Sequence, residues 1–174
     1  KACHSWQEVT RIPLIVKMPG GIEGGVSRQV VSQLDLFPTV TSFFGLEMPD
    51  ENRRSSSQFP YGILRELNNY PGYDLAPLLS GGEDDPKRTA VTEYDDPVSG
   101  YHTLTLHTDR YRLTVYPDPE GVDGELFDLR EDHGEHRNLF HLPDCRPIRD
   151  ELTLCLLTSY ANTTPFWPIP YWNS

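Results

Sequence analysis

The sequence lacks most of the features that would classify it at a glance. No run of 18 apolar residues occurs in its 174 residues, so no membrane-spanning helix is expected. A basic leader followed by a short apolar stretch is missing, so no signal peptide is expected within it. Positive charge is scarce: 15 Lys and Arg stand against 26 Asp and Glu, a net charge of −11. That balance argues against nucleic acid as a main partner, because phosphate binding needs a basic face. Cysteine is limited to Cys3, Cys145 and Cys155, with no paired C-x-x-C spacing for zinc. Cys145 and Cys155 lie ten apart, too far to bridge on one helix, so all three read as free thiols and leave the compartment open. No internal repeat is visible.

What is present is enough for a core. Hydrophobic residues make up 37% of the chain, and the length permits burial without disulfides. Proline and glycine are frequent, 16 and 13 residues, so the chain reads as globular and loop-rich. Its first residue is Lys1, and an apolar run follows a dozen residues later, as though the chain were part of something longer.

The run Ile12 to Val16 is continuously apolar and ends at a Pro-Gly-Gly turn, which predicts a strand buried on both faces. Asp35 is placed to cap a helix over about 36–44, with Pro38 in its first turn and Gly45 as its stop. Leu36, Val40 and Phe43 or Phe44 would share its buried side. Residues 50–87 are polar, with short helices expected near Leu64 and over Leu75 to Leu79. Residues 81–86, GGEDDP, read as an exposed connector.

Beyond the connector the pattern turns to β. Residues 89–94, 101–107, 110–116 and 125–129 show partial alternation and predict an antiparallel meander, with a tight hairpin at Thr108-Asp109. Leu104 and Leu106 share one face; Tyr111, Leu113 and Val115 share another. Asp144 is placed to cap a helix that gathers Ile148, Leu152, Cys155 and Leu156 on one side. The last residues, PFWPIPYW, suggest an aromatic tail laid over another surface.

Candidate chemistry is concentrated at the start. Lys1 and His4 precede the apolar run, with Glu8 and Arg11 between. A Lys ammonium holds an anionic oxygen as a point charge, and a His bonds a leaving group or an anion according to its protonation. Spacing alone fits equally well two solvent-exposed loop residues beside a local Glu8–Arg11 ion pair.

Residues 1–16, KACHSWQEVTRIPLIV, resemble the sulfatase stretch in which a Lys precedes an aromatic and acidic pair and then an Arg-hydrophobic-Pro-Leu-Ile strand. The resemblance continues in order. VSQLDLFPT at 31–39, LAPLLSG at 75–81, Glu93-Tyr94, TDRYRL at 108–113, ELFDL at 125–129 and DHGEHRNL at 132–139 look like successive segments of that family.

The resemblance implies the C-terminal portion of a formylglycine-dependent sulfatase of the alkaline-phosphatase-like superfamily. The fold it implies is α/β. Residues 1–82 would end the large domain, 83–87 would connect, and 88–174 would form a small antiparallel sheet with a C-terminal helix. In that family a formylglycine hydrate attacks sulfur, and a divalent cation, usually Ca²⁺, holds the sulfate. A Lys and a His grip the remaining oxygens where charge develops. Lys1 is the aligned Lys, implied to be catalytic and sulfate-binding, and His4 is the weaker substrate-binding candidate. Gln7 replaces the family's acidic residue, with Glu8 beside it.

The nucleophile and the cation's ligands are expected elsewhere, in an N-terminal part of the same enzyme. Cys145-Arg-Pro147-Ile-Arg149 fits the bare Cys-x-Pro-x-Arg pattern but lies downstream of the Lys segment and lacks the following Thr-Gly. His133, Glu135, His136 and His141 lack the H-E-x-x-H spacing and read as a turn. Asp84-Asp85 and Asp95-Asp96 lack a calcium-loop pattern and read as solvated acids. The partner implied is a sulfated small molecule or carbohydrate, and a homo-oligomer stays open. Phosphonate or phosphate esters, and a non-catalytic binding module, are the alternatives.

Overall fold

The computed structural model describes residues 6–18, 24–46, 72–96, 98, 100–118 and 121–163. The predicted meander forms. Strands β1 (Ala90–Asp96), β2 (Tyr101–His107), β3 (Tyr111–Asp118) and β4 (Gly121–Asp128) make one antiparallel sheet in that order. The β2–β3 hairpin turns over Thr108, Asp109 and Arg110. Thr108 receives Tyr111 N–H on its hydroxyl at 2.7 Å and donates its own N–H to Tyr111 C=O at 2.9 Å.

The register corrects one expectation. Leu106 stands opposite Leu113, and Leu104 opposite Val115. Residues directly opposite on paired strands project to the same face, so the two expected apolar faces are one. Leu106, Leu113 and Leu126 are fully buried there and pack with Phe140, Leu152 and Leu156. The two helical leucines belong to the long helix, Arg146–Thr163, which covers this face. Ile148 and Cys155 join them as predicted. Asp144 does not cap the helix: it lies inside a preceding 3-10 turn, Pro143–Cys145, whose N-cap Leu142 makes no side-chain bond.

Two details lock the sheet to the chain that follows it. A Cβ on Gly124 would stand 2.5 Å from Phe140 Cε2 and 2.4 Å from Thr114 O, so the ring packs where a side chain would be. Asn138 folds back along β4, accepting Leu126 N–H at 3.0 Å and donating to Gly124 C=O at 3.1 Å.

The first half departs further from expectation. Residues 12–16 form no strand, and Ile15 is 92% exposed. A strand needs a neighbour for its N–H and C=O groups, and among the described residues none is paired with this run. Helix α1 is a single turn, Gln7–Thr10, and α2 spans Leu36–Phe43. Asp35 stands at the N-cap position of α2 as expected but makes no capping bond there; its side chain instead closes a reciprocal capping box with Ser32, which opens the preceding 3-10 turn, Gln33–Asp35. Gly45 ends α2 in the left-handed region, φ +63°, with Leu46 N–H reaching Thr41 C=O at 2.9 Å.

The buried side of α2 is Pro38 and Thr39, preceded by Asp35, while Leu36, Val40, Phe43 and Phe44 stay open. Polar bonds choose that side: Leu75 N–H donates to Thr39 Oγ1 at 2.8 Å and Tyr73 N–H to Asp35 Oδ1 at 2.8 Å. Helix α3, Ala76–Leu79, follows as predicted, and the connector 81–86 is exposed. The long helix just described is α4. The expected helix near Leu64 and the aromatic tail lie outside the described residues.

Candidate functional site

Lys1 and His4 lie outside the described residues, so the site is built from the point where their segment joins the fold. That point is Trp6, the N-cap of α1, which has no side-chain capping bond. The first N–H of α1 instead has a partner 128 positions away: Gln7 N donates to Glu135 Oε2 at 3.0 Å.

Glu135 is held from the other side. Its Oε1 accepts from Arg112 Nε at 2.5 Å, and the two side chains are 4% and 0% exposed. Its backbone adopts φ +54° in the turn after β4. For a residue with a Cβ that conformation costs about 1–2 kcal/mol, which the charge-assisted bonds offset. Arg112 also donates to Thr114 Oγ1 at 2.7 Å and to Glu125 Oε2 at 3.2 Å, with its guanidinium carbon 4.8 Å from the Phe127 ring centre. A buried cation is stable only when its donors are satisfied, and here two carboxylates and a hydroxyl do so.

Alternation places Arg112 on the face away from the leucine core. Thr103, Thr105 and Thr114 share that face and are all buried. Thr105 and Thr114 hydroxyls pair at 3.0 Å. His107 stands opposite Arg112 and lies 3.1 Å from Thr92 Oγ1. Burial first, and the Arg112 charge second, hold the His107 pKa down at about 4. The sheet therefore has a polar buried layer on its second face. Sequence reasoning attended to the leucines of β2 and missed the threonines that alternate with them, which were the available signal.

A second ionic knot ties the first half to the entrance of β1. Asp35, 1% exposed, holds Arg88 Nη2 at 2.6 Å, and the Arg88 guanidinium stacks 4.1 Å from the Tyr73 ring centre. Among the described residues, Arg88 Nε and Thr103 Oγ1 are buried without a hydrogen-bond partner. Asp84 is more than a solvated acid: it accepts Ser27 Oγ at 2.6 Å and Arg28 N–H at 3.0 Å. Those bonds, the Ser27 hydroxyl first, lower its pKa.

The remaining candidates are occupied by local contacts. Cys145 packs against the leucine core, and Arg149 of the same pattern donates to Phe140 C=O at 3.1 Å and to Asp150 at 2.9 Å. His133 bonds Leu129 C=O, and His141 Nε2 lies 2.7 Å from Asp123. Among the described residues, no group of three or more His, Cys, Asp or Glu side chains is arranged to hold a metal ion. These residues do not fit a resident divalent cation.

No family model matches the chain. Among curated proteins, arylsulfatase A of Bos taurus is 28% identical over 158 residues, covering 77% of this chain and 27% of its own length. Among solved structures, a protein in complex with its substrate D-glucosamine-2-N,6-O-disulfate superposes with a TM-score of 0.55 at 20% identity. That match covers 74% of this chain and 24% of that one. The phosphonate monoester hydrolase of Agrobacterium radiobacter gives a TM-score of 0.52 at 20% identity, covering 75% and 25%. The two structural matches speak for the fold. The chain spans about a quarter of the length of the curated relatives it matches. The chain is thus similar in sequence, over about three quarters of its length, to a part of arylsulfatases A and K.

Proposed function

We propose that this chain serves as the C-terminal part of an enzyme that hydrolyses sulfate esters. In this reading Lys1 binds the sulfate group, His4 assists, and the nucleophile and cation ligands come from the rest of the protein. Residues 1–82 complete the large domain, 83–87 connect, and 88–174 form the small subdomain. Formylglycine and Ca²⁺, which the resemblance implies, would belong to that remaining part. The observation that carries the reading is the agreement of two likenesses over the same share of chain, one of sequence to arylsulfatases and one of fold.

A Lys at the sulfate contributes a compact positive charge where negative charge grows in the transition state. Its removal is therefore expected to lower kcat/KM by about 10²–10³. The test is Lys1→Ala in the full-length protein, assayed on an aryl sulfate. Unchanged kcat/KM would remove Lys1 from the site. The 174-residue chain alone is expected to show no turnover, and measurable hydrolysis by it would sink the fragment reading. A second substrate class is favoured by one observation, the fold likeness to a phosphonate monoester hydrolase. Faster turnover of an aryl phosphonate than of the aryl sulfate by the full-length protein would favour it.

A further inference from the structure

A line of contacts joins α1 to the polar layer on the second face of the sheet. Gln7 N–H bonds Glu135, Glu135 bonds Arg112, and Arg112 stands opposite His107. We propose that α1 is a strap that closes over this layer, pinned at Glu135, and that a proton on His107 opens it.

The strap is lightly held apart from its pin. A four-residue helix has little stability of its own. None of the residues of α1 is buried, and Val9 is 54% exposed. Gln7 and Thr10, three apart on one side, are the two that turn partly from solvent. The pin itself is firm, because Arg112 is fully buried in β3 and holds the other oxygen of Glu135 at 2.5 Å.

His107 supplies the trigger. On β3 it faces Arg112, and on β1 it faces Ala90 and bonds Thr92 Oγ1. Glu135 in the turn and Glu125 on β4 are both engaged by Arg112. Among the described residues, His107 has no carboxylate partner of its own. A proton there adds a second cation to the closed layer, whereas water solvates it once α1 lifts. Protonation and opening therefore promote each other.

Two variants of the 174-residue chain open the strap without acid. Gln7→Pro deletes one N–H and alters no charge. Proline is favoured at the first position of a helix, and Trp6 already has the extended backbone, φ −60° and ψ 153°, that a following proline requires. Glu135→Gln cannot accept from both donors, because one of its two ends becomes an NH₂ group. The readouts are the His107 imidazole titration by NMR and the exchange of the Thr10 and Arg11 amides, which bond Trp6 and Gln7 carbonyls.

In each variant the His107 pKa is expected to rise by about 1 or more. Thr10 and Arg11 should exchange about tenfold faster or more, with Leu106 and Leu113 amides at their native rates. Removing the Glu135 charge while α1 stays in place would leave Arg112 less compensated and push His107 further down, so the sign separates a strap from a simple charge effect. A His107 pKa that stays or falls overturns the proposal. If Glu135→Gln does not fold, Gln7→Pro decides alone. In the native chain, protection of Thr10 and Arg11, corrected for intrinsic exchange, is expected to fall between pH 6.5 and 4 ahead of Leu106 and Leu113, and to stay level in His107→Gln. Loss in step with the sheet amides, or an equal loss in His107→Gln, overturns it as well.

Discussion

His107 shows how one residue reports the polar layer beneath the sheet. Its pKa is lowered to about 4 from 6.5, chiefly by burial and then by Arg112 opposite it. The folded state therefore keeps His107 neutral while the unfolded chain takes up a proton. Between pH 6.5 and 4 only the unfolded form gains a proton, so stability is intact above pH 6.5 and falls as pH drops toward 4. The full shift corresponds to a loss on the order of 3 kcal/mol. Urea midpoints of the native chain are expected to fall across that window, while those of His107→Gln stay nearly flat. Parallel curves for the two proteins would place the acid sensitivity elsewhere. Asp128 adds its own loss only at lower pH, because its bonds from Arg110, first among its partners, depress its pKa below that of a free carboxylate. None of this was legible in residues 101–107, where His107 closes an alternating strand and nothing local announces the arginine across from it.

At the scale of the element, the sheet and its helix depend on a close approach. Phe140 lies against Gly124, and Gly124 faces Val115 across the β3–β4 pair. Gly124→Ala forces its new methyl against a backbone oxygen and a packed ring, neither of which can yield without moving the sheet. The expected loss is about 1–3 kcal/mol, read as a lowered urea midpoint with an unchanged far-ultraviolet spectrum. A midpoint equal to the native value would show that β4 tolerates the displacement. The strands themselves were legible, because turn residues and alternation bracket each one. The composition of the core was only half legible. Leu104 with Leu106, and Leu113 with Val115, each follow the strand period, but no single strand reveals which face of its neighbour it meets. Pairing register decides that. The fate of Ile12 to Val16 was illegible for a related reason: a run of apolar residues records a tendency to pair, and the pairing needs a partner strand.

The whole molecule divides its apolar surface unevenly. Among the described residues the leucine cluster with Phe140 lies between residues 106 and 156 and Leu75 is buried apart from it, whereas Ile12, Ile15, Val26, Phe44 and Leu46 are 62%, 92%, 93%, 75% and 60% exposed. If the first half completes a larger α/β domain, amides of residues 11–18 will exchange rapidly in the 174-residue chain and slowly in the full-length protein. Amides of Leu106, Leu113 and Leu126 will be slow in both. Equally rapid exchange of 11–18 in both proteins would argue that these residues stay open by design. The resemblance carried by the spaced motifs therefore extended to the fold of the second half. In the first half, by contrast, no strand among the described residues pairs with the apolar run at 12–16. The sheet has a last consequence for how copies of this chain meet. Asn138 occupies backbone groups along β4, so that border offers little to an incoming strand. Among the described residues this leaves β1 as the open border, and it carries exposed Glu93 and Asp95. Two such borders carry like charge, which disfavours edge-to-edge aggregation of copies of this chain.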